Sequence, residues 1–200
     1  MYSFMQLNNT YREKLLNAVI FFSKNVKFPS KLKIFKLLYF LDFKHFKETG
    51  KSVTNLDYYA LDFGPVPISF YDEISDNEVP QDFSKFITID PFKSDNTGKK
   101  GGIIKPKSKP NLKIFTPREQ RIMKDLADIF RDVDAKVISD VSHFKNHPWD
   151  KTRKEKGINK KIDYLLAIDN EANLSLEEAI RMVKEREELL RAFPLKNKIS

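Results

Sequence analysis

The alternation of apolar and polar positions predicts one long helix at residues 31–50, around which the rest of the chain is organised. Placed about 100° apart, as in an α-helix, the residues KLKIFKLLYFLDFKHFKETG are apolar over most of the circumference. Asp42 lies near the centre of the apolar arc. Because an unpaired buried carboxylate costs several kcal/mol, we expect Asp42 to meet an Arg, Lys or Tyr of another element or to line a groove.

The opposite side of this helix carries a narrow stripe of lysines around one aromatic residue. The stripe consists of Lys33, Lys36, Phe40, Lys44 and Lys47. An exposed aromatic side chain ringed by flexible cations suits an acidic protein partner, so these five residues form the predicted partner-binding surface. In the alternative interpretation, the lysines extend from an ordinary solvent-facing side and a lysine-rich loop covers Phe40.

Capping signals predict where other helices begin. Thr10 with Glu13 makes a capping box for a first helix, and Thr116 with Glu119 makes a second one. Apolar periodicity predicts that Ile129 and Val137 face inward on the helices that contain them. The predicted helices besides the central one lie at about residues 10–24, 66–74, 116–130, 134–143 and 175–193.

The strand signals are fewer and shorter. Residues 56–61 are aromatic and extended, and Gly64 between Phe63 and Pro65 allows a sharp bend into the next helix. Residues 83–89 and 112–115 are predicted as two strands that are joined by a mobile basic loop at 91–110.

These elements predict a mainly α fold with a small antiparallel β-sheet, an α+β class. We expect a compact helical domain at residues 1–170 around the buried central helix. Residues 171–200 are predicted to form a charged C-terminal helix that could be an appendage to it.

Composition narrows the function classes. The chain has no cysteine, which excludes disulfides, cysteine nucleophiles and thiolate metal sites, and favours a cytoplasmic location. Its longest unbroken apolar run, residues 37–41, is far too short for a membrane-spanning helix, so no membrane partner is expected.

The net charge of +8 is unevenly distributed along the chain. Residues 1–60 and 91–117 each carry a net charge of +6, whereas residues 61–90 carry −6. Such alternation indicates separate surface patches that can steer a charged partner. A uniformly basic surface, typical of a nucleic-acid binder, is not predicted.

Two segments resemble the signatures of a known family, the Panacea domain, also called the SocA-like antitoxin domain. The first is KLLYFLDFKHFKETGKSVTNLDYYALDFGPVPISFYDEI at residues 36–74, and the second is Val141-Ser142-His143 followed by Pro148-Trp149. The resemblance extends over roughly residues 11–168. The matching motif residues are Leu38, Tyr39, Asp42, Gly50, Tyr59, Gly64, Pro65, Val66, Pro67, Tyr71, His143 and Trp149.

The resemblance implies a mostly helical bacterial or phage antitoxin with a small sheet. It further implies that the chain neutralises a protein toxin encoded beside it by direct protein–protein binding, without catalysis or a cofactor. Most motif residues are then expected to be structural, and the toxin, the contact surface and the oligomeric state stay open.

A DNA-binding transcriptional regulator is the alternative function. Residues 118–143 resemble a helix-turn-helix in outline. The second of these helices, however, carries Asp134 and Asp140 against a single cation, Lys136, which disfavours contact with phosphates. A nucleic-acid partner is therefore the less favoured prediction.

Metal and hydrolytic chemistry find little support in the sequence. His143 and His147 are spaced four apart, as two metal ligands on one helix would be, but Pro148 interrupts the helix and no third ligand is evident. Ser139 and His143 have no nucleophile elbow beside them. The sequence therefore predicts no catalytic residue and no metal site.

Overall fold

The computed structural model describes residues 3–93 and 100–192, in which seven α-helices surround two separate two-stranded antiparallel sheets. The predicted class, mainly α with a small β component, is confirmed. No helix within these two ranges is both long and apolar enough to cross a bilayer. The elements in chain order are α1 (Ser3–Asn25), α2 (Lys31–Thr49), β1 (Tyr59–Leu61), β2 (Gly64–Val66), α3 (Ile68–Glu73), β3 (Ile87–Lys93), β4 (Lys100–Pro106), α4 (Pro117–Ile129), α5 (Ala135–Ser142), α6 (Pro148–Lys156) and α7 (Leu176–Ala192).

The predicted central helix is confirmed as α2. It begins after Ser30, whose side chain accepts a hydrogen bond from the Lys33 N–H at 3.3 Å. It ends at Gly50, which adopts the left-handed conformation with φ 70° and donates its N–H to the Phe46 carbonyl oxygen at 2.7 Å. Because α1, α4, α5 and β2 all contact α2, most of its circumference is buried.

The first helix begins earlier than predicted. Helix α1 starts at Ser3, so Thr10 lies inside it and the predicted capping box with Glu13 is wrong. A capping box starts a helix only where the preceding residues leave the helical conformation, and Asn8 and Asn9 stay in it. The second predicted box is confirmed, because Thr116 and Glu119 exchange both hydrogen bonds at the start of α4.

The predicted basic loop is largely a β-hairpin. Strands β3 and β4 pair from Ile87 with Pro106 to Lys93 with Lys100, so the strand predicted at 83–89 begins later and much of the expected loop at 91–110 is strand. Residues 94–99 lie outside the described ranges. The apolar side chain of Ile104 is fully buried against the core, which explains why this segment joins the fold.

The strand predicted at residues 112–115 is absent, since Leu112–Ile114 forms a turn of 3-10 helix. The Asn111 side chain accepts a hydrogen bond from the Lys113 N–H and so favours the turn over an extended chain. Ile129 and Val137 were predicted to face inward, and both predictions are wrong because the two side chains are exposed. Helix α4 ends at Ile129, and α5 instead turns Ile138, Ser139 and Ser142 inward.

The C-terminal helix packs on the end of the central helix. Ser175 caps α7, because its side chain accepts the Glu178 N–H while the Glu178 carboxylate accepts the Ser175 N–H at 2.8 Å. The Met182 sulfur lies 2.6 Å from the position that a Cβ at Gly50 would occupy. Helix α7 therefore covers the C-terminal end of α2.

Candidate functional site

The predicted lysine stripe does not form one exposed surface, because Lys33 and Lys36 are fully buried. The Lys33 ammonium donates hydrogen bonds to the carbonyl oxygens of Lys27 at 2.8 Å and Val133 at 2.5 Å. It also reaches the Arg131 carbonyl at 3.3 Å, just after α4. The Arg131 carbonyl also accepts the Lys27 N–H at 2.8 Å, so the Lys33 side chain adds to a link between two turns of the chain. This lysine therefore serves the fold, and its expected exposure is wrong.

The other members of the stripe are divided between internal contacts and solvent. Phe40 is half-buried and stacks on Phe130, the residue that follows helix α4, with ring centroids 5.3 Å apart. Lys47 donates to Asp169 at 2.8 Å. Lys44 is exposed. A role of the stripe in partner binding stays a prediction, but its geometric basis is lost.

Asp42 fixes the segment that follows α2. Its buried carboxylate accepts hydrogen bonds from the Val53 N–H at 2.7 Å, the Thr54 N–H at 2.8 Å and the Tyr58 hydroxyl at 2.8 Å. The Thr54 hydroxyl is a fourth donor. Burial raises the pKa of Asp42, while the hydrogen bonds from Thr54, Tyr58 and Val53 oppose this shift. The expected tyrosine partner is confirmed, and these bonds place the chain at the start of β1.

The β1–β2 hairpin lies against α2 and α5 through Gly64. This glycine has φ 93°, and a Cβ here would lie 2.6 Å from Ser142 Oγ, 2.7 Å from His143 Nε2 and 2.8 Å from Lys36 Nζ. Lys36 Nζ also donates a hydrogen bond to the Pro65 carbonyl at 2.8 Å. Three polar side-chain atoms from two helices thus converge on one glycine of the hairpin.

Residues of the second family segment hold the same hairpin from the other side. The Trp149 ring N–H donates to the Leu61 carbonyl at 3.0 Å, and the ring stacks on His143 with centroids 4.0 Å apart. Arg153 lies over the Trp149 ring and pairs with Asp62 at 3.3 Å. The two segments that carry the family resemblance therefore meet at the hairpin.

The backbone of β1 is paired on its outer edge as well. The Ala60 N–H donates to the Lys160 carbonyl, and the Ala60 carbonyl accepts from the Asn159 N–H, both at 2.9 Å. The Ser139 hydroxyl donates to the Phe63 carbonyl at 3.1 Å. The hairpin is consequently bound by α2, α5, α6 and residues 159–160.

Most of the remaining motif residues are buried in the core or lie where a strand or helix begins. Leu38, Tyr39 and Val66 are buried, and burial raises the pKa of Tyr39. Tyr59 opens β1, and Pro67 caps α3. Tyr71 on α3 is partly exposed and its ring lies 6.0 Å from that of Phe35.

The two histidines do not come together as metal ligands. His143 stacks on Trp149, whereas His147 is exposed at the N-cap of α6. Within the described residues there is no cluster of three or more His, Cys, Asp or Glu side chains suited to a metal ion.

Lys36 is expected to make stability depend on pH. Burial lowers its pKa to about 7 from 10.5, so between pH 7 and 10.5 the unfolded chain binds a proton that the folded chain excludes. The free energy of unfolding therefore rises with pH across that window, by up to about 1.4 kcal/mol per pH unit. The stability gained in this way is lost again as the pH falls to 7. Chemical denaturation of Lys36→Met at pH 7 to 9 should show a smaller rise than the parent chain.

Exposed Lys44 on the same helix provides the control, since Lys44→Met should leave the pH profile unchanged. Equal slopes for Lys36→Met and the parent chain would show that Lys36 is charged in the folded protein.

The exposure of three apolar side chains, one on the hairpin turn and two on or just after α5, was not predicted. Phe63 at the hairpin turn is 58% exposed, Val137 on α5 is 46% exposed and Phe144 just after α5 is 53% exposed. Val137 was expected to face inward. Phe63 was predicted only to lie next to the sharp bend at Gly64, with nothing said of its exposure. Apolar side chains that are exposed singly are normal on protein surfaces, so these exposures alone do not define a binding site.

The fold and the site define a mainly helical domain in which polar side chains from α2, α5 and α6 hold a short hairpin in place. Residues 34–150, more than half of the chain, match the family model described as "Antitoxin SocA-like, Panacea domain", so the chain belongs to this family. The match lies within the range of the predicted resemblance and confirms it. No curated protein and no solved structure shows significant similarity to the chain.

Proposed function

We propose that this chain is the antitoxin of a toxin–antitoxin module and neutralises a protein toxin, encoded by a neighbouring gene, by binding it directly in the cytoplasm. The observation that carries the proposal is membership of the SocA-like antitoxin family over residues 34–150. The mechanism is steric, because a protein that covers the active site or substrate entrance of an enzyme blocks it without any chemistry of its own. Lys36 and Asp42 are buried in hydrogen bonds to the chain and His143 stacks on Trp149, and these structural roles support a non-catalytic function.

A DNA-binding function gains no support from the geometry of the segment at 118–143. Helices α4 and α5 are joined by a short turn, as the outline predicted. The outward residues of α5 include Val137 and Asp140, with Lys136 as its single cation. An apolar and partly acidic helix is poorly suited to the negatively charged groove of DNA.

Co-expression with the neighbouring reading frame tests the proposal. Induction of that frame alone should stop growth, and co-expression of this chain should restore it. The two proteins should also co-purify from the rescued cells. The control is the same plasmid with an early stop codon in this chain. A toxic neighbour that this chain fails to neutralise, or neutralisation without a complex, would contradict direct binding.

A further inference from the structure

We propose that Lys36 and His143 act together as a proton-sensitive pair, which holds the β1–β2 hairpin while it carries at most one proton and promotes release of the hairpin when it carries two. The pair joins α2, which contains Lys36, to the residue that ends α5. The inference goes beyond the proposed antitoxin function, because it concerns the response of this chain to acidification and requires no partner.

The two nitrogen atoms of the pair lie close together beside Gly64. His143 Nε2 lies 2.7 Å and Lys36 Nζ lies 2.8 Å from the position that a Cβ at Gly64 would occupy. Because both atoms lie near one point, they are separated by less than about 6 Å. Two cations at this distance repel each other strongly where little water screens them.

The groups in immediate contact with the pair compensate a second positive charge poorly. Lys36 is fully buried and donates to the Pro65 carbonyl at 2.8 Å. His143 Nε2 is buried and has no hydrogen-bond partner among the described residues. The nearby Ser142 hydroxyl is neutral and donates to the Ser139 carbonyl at 2.6 Å. A second proton on the pair would therefore be buried without adequate solvation.

The charged and titratable groups on the surrounding elements are exposed, paired or neutral. Asp140 of α5 is exposed to solvent. Asp62 of the hairpin turn pairs with Arg153 of α6 at 3.3 Å. Tyr39 of α2 stays neutral, because burial raises the pKa of its hydroxyl. Within the described part of the chain, these groups provide no buried counter-charge for the pair.

The pKa values of both members are shifted in the direction that this environment implies. Burial lowers the pKa of Lys36 to about 7. Burial also lowers the pKa of His143, and the charges of Lys36 and Arg153 lower it further, whereas Asp140 and the Phe63 backbone raise it. Both shifts mean that the closed hairpin excludes protons.

The pair admits a first proton more readily than a second. The His143 ring stacks on Trp149 with centroids 4.0 Å apart, a contact that favours a charged imidazole, and Lys36 Nζ already has a carbonyl acceptor. Interacting groups titrate as a pair, so the second proton binds at a lower pH than the first.

Release of the hairpin removes the obstacle to the second proton. In the released form Lys36 and His143 regain their ordinary pKa values of 10.5 and 6.5. The released form therefore binds more protons than the closed form, and its population rises as the pH falls. Below pH 6.5 the change comes mainly from His143, because Lys36 is by then largely charged in both forms.

Trp149, the one tryptophan of the chain, reports directly on the attachment of the hairpin. Its ring N–H donates to the Leu61 carbonyl at 3.0 Å, so solvent exchange of this proton, followed as a single indole NMR signal, measures release. Protection should fall by about 10-fold between pH 6.5 and pH 5, after correction for the pH dependence of intrinsic exchange. Far-UV circular dichroism should stay constant over this range, because the helices remain folded.

Three variants locate the effect. His143→Gln keeps a polar side chain that does not titrate, so its loss of protection over the same range should be under about 2-fold. Lys36→Met removes the neighbouring cation and should give a loss between those of His143→Gln and the parent. His147→Gln is the matched control, since His147 is exposed at the N-cap of α6 and its removal should leave the parent profile unchanged.

Each alternative result overturns the inference. Constant protection in the parent, or an equal loss in His143→Gln, would show that the pair does not control the hairpin. The full parental loss in Lys36→Met would show that His143 acts alone. A fall in helical content over the same range would indicate general unfolding instead of release. Should Lys36→Met melt early, His143→Gln and His147→Gln suffice for the decision. None of these results bears on the antitoxin function, which co-expression tests separately.

Discussion

Replacement of Asp42 by alanine is expected to lower the free energy of unfolding by about 3 to 5 kcal/mol. The substitution leaves the N–H groups of Val53 and Thr54 buried without an acceptor, and the Tyr58 hydroxyl loses its partner as well. Each unsatisfied buried donor keeps its desolvation cost. The chain between α2 and β1 is therefore expected to loosen before the rest of the core.

Urea denaturation of the Asp42→Ala variant measures the effect. Asp128→Ala is the control, because Asp128 forms an exposed pair with Arg131 and its removal should change stability by less than about 0.5 kcal/mol. An Asp42→Ala protein with unchanged stability that no longer binds its partner would show that this carboxylate serves binding rather than the fold.

Gly64→Ala should cost about 2 to 4 kcal/mol, through two separate effects. The φ of 93° is strained for any residue with a Cβ. The added methyl group would also lie under 3 Å from Ser142 Oγ, His143 Nε2 and Lys36 Nζ. These atoms belong to helices α5 and α2, so the hairpin is expected to shift away from both.

Gly157 separates the two effects in the same experiment. It has a similar φ of 89°, but a Cβ there would meet no atom within 4 Å. Gly157, with ψ −170°, lies in a region almost confined to glycine, so Gly157→Ala should report the backbone cost alone, about 1 to 3 kcal/mol. Equal losses of stability in the two variants would mean that the side chains around Gly64 move aside without lowering the free energy of unfolding.

The sequence predicted those helix ends that depend on hydrogen bonds between residues close together in the chain. The end of α2 at Gly50 and the start of α4 at Thr116 with Glu119 were predicted, because each of these residues bonds to backbone groups only three or four positions away. The strand predicted at 112–115 failed for a related reason. There Asn111 makes a local bond that competes with an extended chain.

The candidate site depends on contacts between distant segments, and these were only partly predictable. The apolar surroundings of Asp42 led us to expect an Arg, Lys or Tyr partner or a position in a groove, and the structure shows Tyr58 as that partner. The burial of Lys33 and Lys36 could not be inferred in the same way, because their acceptors are carbonyl groups of residues up to 100 positions away. A helical wheel contains no information on such acceptors.

The outward position of Val137 was missed because α5 is short. Eight residues make little more than two turns, so its apolar periodicity fits more than one rotation about the axis. The hydrogen bond from Ser139 to the Phe63 carbonyl fixes which rotation occurs, and that bond joins residues 76 positions apart.

The attachment of the β1–β2 hairpin on every side has a thermodynamic consequence for docking. Its backbone is held by Lys36, Ser139, Trp149 and the pairing of Ala60 with residues 159–160 before any partner arrives. A partner that contacts Phe63 would therefore meet an ordered backbone, and little conformational entropy would be lost when the complex forms. Differences in affinity among partners that bind the hairpin would then reside mainly in how slowly each complex dissociates.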